Sequence, residues 1–184
     1  MMNVRAFRFM TFPAAEWDAV KAERLSAAQV LCTHLVPWSL VPAVAWGLGA
    51  FFFNASVSGQ IALAARLGIG TFVLCLVSIG ICALAFGLVM PMYGSARDWR
   101  LAVSLAAYAS TPVLMAGILL ILPVLIGMEI IAVLHGLYLA YIGAQRLLGV
   151  PPSDAAEFLA AAGVLWAGGS SLLGALLGWL GLIG

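Results

Sequence analysis

Long apolar segments separated by short polar connectors set the pattern of this chain. Five of them run over residues 31–53, 67–90, 101–121, 124–144 and 157–183. An α-helix needs about 20 mainly apolar residues to cross the hydrocarbon core of a bilayer, so each segment predicts one transmembrane helix. The predicted fold class is therefore all-α: a polytopic integral membrane protein with a five-helix transmembrane bundle. We expect residues 30–184 to form this membrane domain and residues 1–29 to form a leader.

The leader has the pattern of an amphipathic helix lying in the membrane interface. Pro13 stands where the first residue of a helix tolerates a missing N–H. From there Trp17, Val20, Leu25 and Ala28 fall on one helical face, and the charged residues fall elsewhere. We therefore expect an N-terminal interfacial amphipathic helix anchored by Trp17, with a solvated leader as the alternative.

Only a short interruption separates the third and fourth apolar segments. It contains Pro123, Gly127, Met128 and Glu129. A single helix through both segments would be about twice as long as the hydrocarbon core is thick. The sequence therefore predicts a tight helical hairpin whose turn lies within 122–129.

Composition agrees with a membrane location and excludes several functions. Hydrophobic residues make up 65% of the 184 positions and charged residues 8%, whereas a soluble domain is about one quarter charged. The net charge of +1 provides no basic field for nucleic acid, so we expect no such partner. The sequence contains no phosphate loop, nucleophile elbow, zinc-protease motif or paired intramembrane carboxylates. We expect no enzyme activity, no metal and no cofactor.

One cofactor alternative is a haem held by His34 and His135, since neutral imidazoles are good iron ligands. His34 lies at the start of the first segment, whereas His135 lies about ten residues inside the fourth, or roughly 15 Å deep. The axial ligands of one iron must lie at the same depth. The spacing therefore argues against haem.

The basic residues predict how the five spans are oriented. If the N-terminus is cytoplasmic, the cytoplasmic side carries seven of the eight basic residues, namely Arg5, Arg8, Lys21, Arg24, Arg97, Arg100 and Arg146. The other side carries only Arg66. Positive residues concentrate on the cytoplasmic side of membrane proteins. We expect a bacterial inner-membrane protein with a cytoplasmic N-terminus and an external C-terminus, since its Arg-, Ala-, Leu- and Gly-rich composition is typical of a GC-rich bacterium.

Small residues recur at spacings that let helices approach closely in lipid. For Ala43/Gly47, Ala45/Gly49 and Ala132/Gly136/Ala140 we expect packing within the bundle. The last segment has the longest stripe, and we expect this stripe to serve helix packing or to contact a partner or a second copy. Its members are Gly163, Ala167, Ser171, Gly174 and Gly178.

Polar residues in the third and fourth spans are the other candidate functional positions. Pro112 frees the carbonyl of Tyr108, and the hydroxyls of Ser110 and Thr111 are placed to bind it, so we expect a kink whose polar groups are satisfied. His135, Tyr138 and Tyr141 share one helical face. Ionisable residues inside a membrane are functional candidates, but tyrosines near a helix end are also ordinary interface anchors.

Several short motifs, in this order along the chain, resemble the Yip family of Ypt-interacting membrane proteins in its bacterial form. They are Phe12-Pro13 with Glu16-Trp17 and Glu23, Tyr93-Gly94-Ser95, Tyr108-Ala-Ser-Thr-Pro112, and Tyr138 with Tyr141-Ile142-Gly143. The resemblance implies a five-span bundle with a cytoplasmic N-terminus, and it brings no catalytic residues. Eukaryotic relatives are associated with prenylated Rab-type GTPases. This chain lacks their Asp-Leu-Tyr-Gly-Pro signature, so a GTPase partner is not carried over.

Together these features predict a non-enzymatic membrane scaffold or adaptor of the Yip family type. We expect it to bind membrane lipids, a membrane-protein partner or another copy of itself. The alternative is a small oligomeric transporter or channel with a polar path near Tyr108, Pro112, His135 and Tyr138.

Overall fold

The computed structural model describes residues 2–53 and 59–179. Within these ranges the chain forms helices and connecting turns, with no strand. The α-helices are α1 (Met2–Thr11), α2 (Pro13–Glu23), α3 (Ala27–Val30), α4 (Val36–Phe53), α5 (Gln60–Val89), α6 (Trp99–Ala109), α7 (Thr111–Ala116), α8 (Glu129–Arg146) and α9 (Ala155–Trp179). A π-helical turn joins α3 to α4, and 3₁₀ turns lie at Met90–Tyr93, Gly117–Ile121 and Pro123–Met128.

Five helical stretches of the described chain are long and apolar enough to cross a membrane, which confirms the predicted all-α polytopic bundle. They are Ala27–Phe53, Gln60–Tyr93, Trp99–Ile121, Val124–Arg146 and Ala155–Leu173. We number them as the first to fifth spans. The helix of the second span, α5, begins at Gln60. This is earlier than the predicted apolar segment from residue 67, because helix formation tolerates the polar residues Gln60 and Arg66.

The chain reverses direction between the third and fourth spans inside the predicted segment 122–129. Leu122 has extended backbone, with φ −110° and ψ 105°, between two 3₁₀ turns. The helices on either side then pack antiparallel: a Cβ built at Gly136 would lie 2.9 Å from the carbonyl oxygen of Ala109. Gly136 therefore brings α8 against α6, as its small-residue spacing predicts.

Small residues also bring the first span against its neighbours. A Cβ built at Gly47 would lie 3.0 Å from the carbonyl oxygen of Ala64, and one at Gly68 would lie 3.1 Å from that of Ala43. A Cβ at Gly49 would lie 2.8 Å from the carbonyl oxygen of the third-span residue Ile121. The backbones of α4 and α5 thus touch at positions where larger side chains would force them apart.

The leader departs from the expected interfacial helix in the direction of its apolar face. Trp17 is 0% exposed, and its indole Nε1 donates a hydrogen bond to the carbonyl oxygen of Leu139, at 3.1 Å. A Cβ built at Gly143 would lie 2.8 Å from the Trp17 ring, so the absence of a side chain there creates the space for the indole. The expectation that Trp17 anchors the leader in the membrane interface is therefore wrong, because the ring packs into the protein. Phe7 and Phe12 are the exposed aromatic side chains of this segment.

Candidate functional site

A buried cluster of aromatic and polar side chains lies where the leader meets the bundle. We call this the leader end of the bundle, and the end where α4 stops and α5 starts the far end. Phe9 of α1 stacks on Tyr108 of α6, with ring centroids 5.0 Å apart, and meets the edge of Trp17 at 4.9 Å. The ring of His34 lies 4.4 Å from that of Tyr108. All four side chains are at most 2% exposed, so the leader completes the core at this end.

The proline kink supplies the polar part of this cluster. The helix stops at Ala109 and resumes at Thr111, whose hydroxyl donates to the freed carbonyl of Tyr108 at 2.7 Å. The kink is thus self-satisfied, as the sequence predicts. His34 Nε2 lies 2.9 Å from the same hydroxyl oxygen. Since the single hydroxyl proton of Thr111 is already donated, the Nε2 of His34 is the donor in this second hydrogen bond.

Charged residues of the leader cover the cluster. The guanidinium of Arg5 lies over the Tyr108 ring, 5.9 Å from its centroid. Glu16 is only 2% exposed, and its carboxylate lies 3.5 Å from Arg5 Nε and 2.7 Å from Arg8 Nε. The Arg8 contact lacks hydrogen-bond geometry, so we treat it as an ion pair. Two cations thus compensate this buried carboxylate, as burial of a charge requires.

Arg5 also joins the two leader helices to each other. Its guanidinium donates two hydrogen bonds to the Glu23 carboxylate, one of them at 2.9 Å. These bonds raise the pKa of Arg5 and lower the pKa of Glu23, and burial opposes both shifts. Arg5 therefore holds α1 on α2 while it covers the aromatic cluster.

A second contact joins the leader to the end of α8. Lys21 Nζ donates to the carbonyl oxygen of Arg146 at 3.1 Å, and the Arg146 guanidinium lies 3.4 Å from the Asp18 carboxylate. A cation at the carbonyl end of a helix is favourable because the last carbonyls lack partners within the helix. Both charged contacts are exposed, so their energies are small beside that of the buried Trp17.

The structure separates the residues of the predicted polar path. Tyr108, Thr111 and Pro112 lie in the interior, whereas Tyr138 is 51% and Tyr141 37% exposed on the outer surface of α8. His135 is half-buried, its ring lies 5.9 Å from that of Tyr138, and its Nε2 has no hydrogen-bond partner in the described chain. No hydrogen bond or ring contact between described residues links His135 to Tyr108. The two predicted groups therefore form no common site.

The stripe on α9 also lies outside the packed interior. A Cβ built at Gly163 would meet no atom within 4 Å, and Ala167 and Ser171 are exposed. Gly174 and Gly178 belong to α9, but their surroundings lie outside the described residues. The helix packs through a different face, since a Cβ at Gly169 would lie 2.9 Å from Cγ2 of Ile81.

Sequence reasoning missed His34, Arg5 and Glu16 as members of the leader-end cluster. The sequence points to His34 only as a candidate haem ligand, because its partner Thr111 lies 77 positions away. One signal is present: a proline-freed carbonyl attracts polar side chains, and seven charged residues of the leader precede the first span. The depth and partner of His34 show that it serves the kink. Among the described residues no group of three His, Cys, Asp or Glu side chains could hold a metal.

The fold and the cluster define an all-α, multi-pass membrane protein whose N-terminal helical hairpin packs into one end of a five-span bundle. A family model, the Yip1 domain, matches residues 7–174. The chain therefore belongs to the Yip1 domain family, as the ordered motifs predict. The match begins within α1, so the leader is part of the family domain. Comparisons with curated proteins and with solved structures give no match.

Proposed function

We propose that the protein is a non-enzymatic scaffold or adaptor of the Yip family type that binds membrane lipids and a partner helix. We place it in a bacterial inner membrane with a cytoplasmic N-terminus and an external C-terminus. Its basic residues support this orientation, because Arg5, Arg8, Lys21 and Arg146 all lie at the leader end. Arg66 lies in the first turns of α5, toward the far end.

The outward stripe of α9 is the observation that carries the adaptor proposal. Gly163, Ala167 and Ser171 follow one another at intervals of four residues, so they share one side of the helix. Another side of the helix contacts the bundle: Trp166 Nε1 donates to the carbonyl oxygen of Ser78 at 3.1 Å and attaches α9 to α5. α9 thus has one face used inside the bundle and one small-residue face that is free in the described structure. Such a face lets a second helix approach closely in lipid.

Bulky substitutions on this face test the proposal. We expect the double variant Gly163→Leu, Ala167→Leu to lose most of its association, because side chains of this size hold two backbones apart. The measurement is co-purification and oligomeric mass of the full chain in mild detergent. Leu165→Trp is the control: Leu165 is exposed on the same helix, but residue 165 lies about 120° or more around the helix from residues 163, 167 and 171.

The outcomes separate clearly. Loss of a stoichiometric partner, or of a homo-oligomer, in the double variant but not in Leu165→Trp supports the adaptor proposal. Association that both variants keep unchanged overturns the argument from α9. Melting temperature in detergent checks that both variants remain folded.

A further inference from the structure

A groove lies between the first two spans at the far end of the bundle. Its volume is about 670 Å³, which is within the range of roughly 300–1,000 Å³ that small-ligand sites occupy. Apolar side chains and backbone line it on both sides, from Leu40 to Phe51 on α4 and from Ile61 to Phe72 on α5. The groove lies inside two membrane spans, so any occupant must tolerate hydrocarbon surroundings.

The sequence explains why a groove forms here. Ala43, Gly47, Ala64 and Gly68 form its floor, where the backbones of α4 and α5 touch. Larger side chains on either side, among them the exposed Ile69, form its walls. Small residues where α4 touches α5, with large residues beside them, leave an elongated apolar groove along the helix pair. An acyl chain has the shape and chemistry to fill such a groove.

Arg66 is the charged residue of α5 that is nearest in sequence to the residues lining the groove. It lies beside the lining residue Ala65 and one helical turn from Ile69, and its side chain is exposed. No hydrogen bond or ion pair joins Arg66 to any other residue that the structure describes. In contrast, Arg5 and Arg146 at the leader end have carboxylate partners. The guanidinium donors of Arg66 can therefore bind an anion from outside the described chain.

The depth of Arg66 suits a lipid headgroup. Helix α5 has 30 residues, or about 45 Å, which exceeds the hydrocarbon core of about 30 Å. Arg66 is within the first two turns of this helix, where its long side chain reaches the headgroup region. A guanidinium binds phosphate oxygens with paired hydrogen bonds.

We propose that the groove and Arg66 together form a phospholipid-binding site, with an acyl chain between α4 and α5 and the lipid phosphate on the Arg66 guanidinium. This site gives a location to the lipid-binding part of the proposed function and rests on it. The adaptor part is independent, because its variants lie on α9 and those below lie on α4 and α5.

Native mass spectrometry of the full chain, titrated with phosphatidylglycerol in detergent, tests the site. Ala65→Phe places a ring in the groove and should weaken binding of the first lipid about tenfold or more. Gly80→Phe is the control, because a Cβ at Gly80 meets no atom within 4 Å and residue 80 lies on the same helix about 20 Å from Arg66 and does not line the groove. Val44→Trp fills the groove from the α4 side and guards against a folding defect specific to Ala65→Phe.

The role of Arg66 is tested with a second probe. Arg66→Gln should weaken phosphatidylglycerol binding about tenfold, as expected for loss of a charge-assisted hydrogen bond, while diacylglycerol binding, which involves no phosphate, stays unchanged. Arg66→Lys keeps the charge but not the paired hydrogen bonds, so its binding should fall between those of wild type and Arg66→Gln. Arg97→Gln removes a charge at the leader end as the control.

Three results would overturn the proposal. One is wild-type lipid binding in both groove-filling variants. Another is an equal loss of diacylglycerol and phosphatidylglycerol in Arg66→Gln. The third is a dimer that Ala65→Phe dissociates with no change in bound lipid, since the groove would then hold a second copy of the chain.

Discussion

Replacing Trp17 by alanine removes the side chain that fixes the leader in the bundle. The indole is fully buried, packs against Phe9 and occupies the space left by Gly143. It also donates its one hydrogen bond to the Leu139 carbonyl. Truncation of a buried tryptophan typically costs about 3–5 kcal/mol, and the hydrogen bond accounts for about 1 kcal/mol of that loss.

This loss falls on the docking of the leader, because the five spans keep their own contacts in lipid. A loss of 3–5 kcal/mol, roughly 1.4 kcal/mol per factor of ten, lowers the docking equilibrium constant by about 10² to 4 × 10³. Hydrogen exchange reports such local opening directly. We therefore expect the amides of α1 and α2 to lose about two to three and a half orders of magnitude of protection in Trp17→Ala, while those of α6 and α8 change little.

The control for this prediction is Phe12→Ala. Phe12 follows α1 and is 67% exposed, so its removal should leave leader protection within about a factor of three of wild type. Unchanged protection of α1 and α2 in Trp17→Ala would refute the reasoning, because the leader would then be fixed by its charged contacts.

Three further predictions concern the kink, the leader charges and the fifth span. Thr111→Val removes the partner of the Tyr108 carbonyl and should cost about 1–3 kcal/mol of stability, measured by thermal unfolding in detergent, whereas Thr111→Ser should retain most of it. The pKa of Glu23 is lowered in the folded protein. Its contribution to stability is therefore present above the pKa of about 4.3 in the unfolded chain and is lost as pH falls through the folded pKa. Hydrogen-exchange protection of α1 and α2 should weaken at acid pH, and less so in Glu23→Gln. Gly169→Leu should destabilise the bundle, because its Cβ meets Ile81 at 2.9 Å, and an unfolding temperature equal to that of Gly163→Leu would contradict this packing.

The parts of the fold that follow from local pattern were predictable. Apolar length alone predicts the five spans. The hairpin turn follows because a single helix through the third and fourth segments would be about twice as long as the hydrocarbon core is thick. The kink at Pro112 was also predictable, since the freed carbonyl and the hydroxyl of Thr111 are local neighbours.

The direction of the leader was not predictable, because it depends on contacts distant in sequence. The apolar face of α2 is equally compatible with lipid and with a protein slot. The space left by Gly143, on a helix more than 100 positions away in sequence, is what allows the Trp17 ring to pack into the protein. The hydrogen bond between His34 and Thr111 also joins residues distant in sequence. The outward position of Gly163 depends on which face of α9 contacts α5, and this too is not visible in the local pattern.

Site-specific photo-crosslinking from Ala167 in native membranes tests the central claim most directly, namely that the outer face of α9 binds a partner helix. A photoreactive residue at position 167 should give one discrete protein adduct, and the same residue at position 165, on another side of α9, should give far less of it. Lipid adducts alone at position 167, or identical protein adducts from both positions, would contradict the proposal that this face holds a partner.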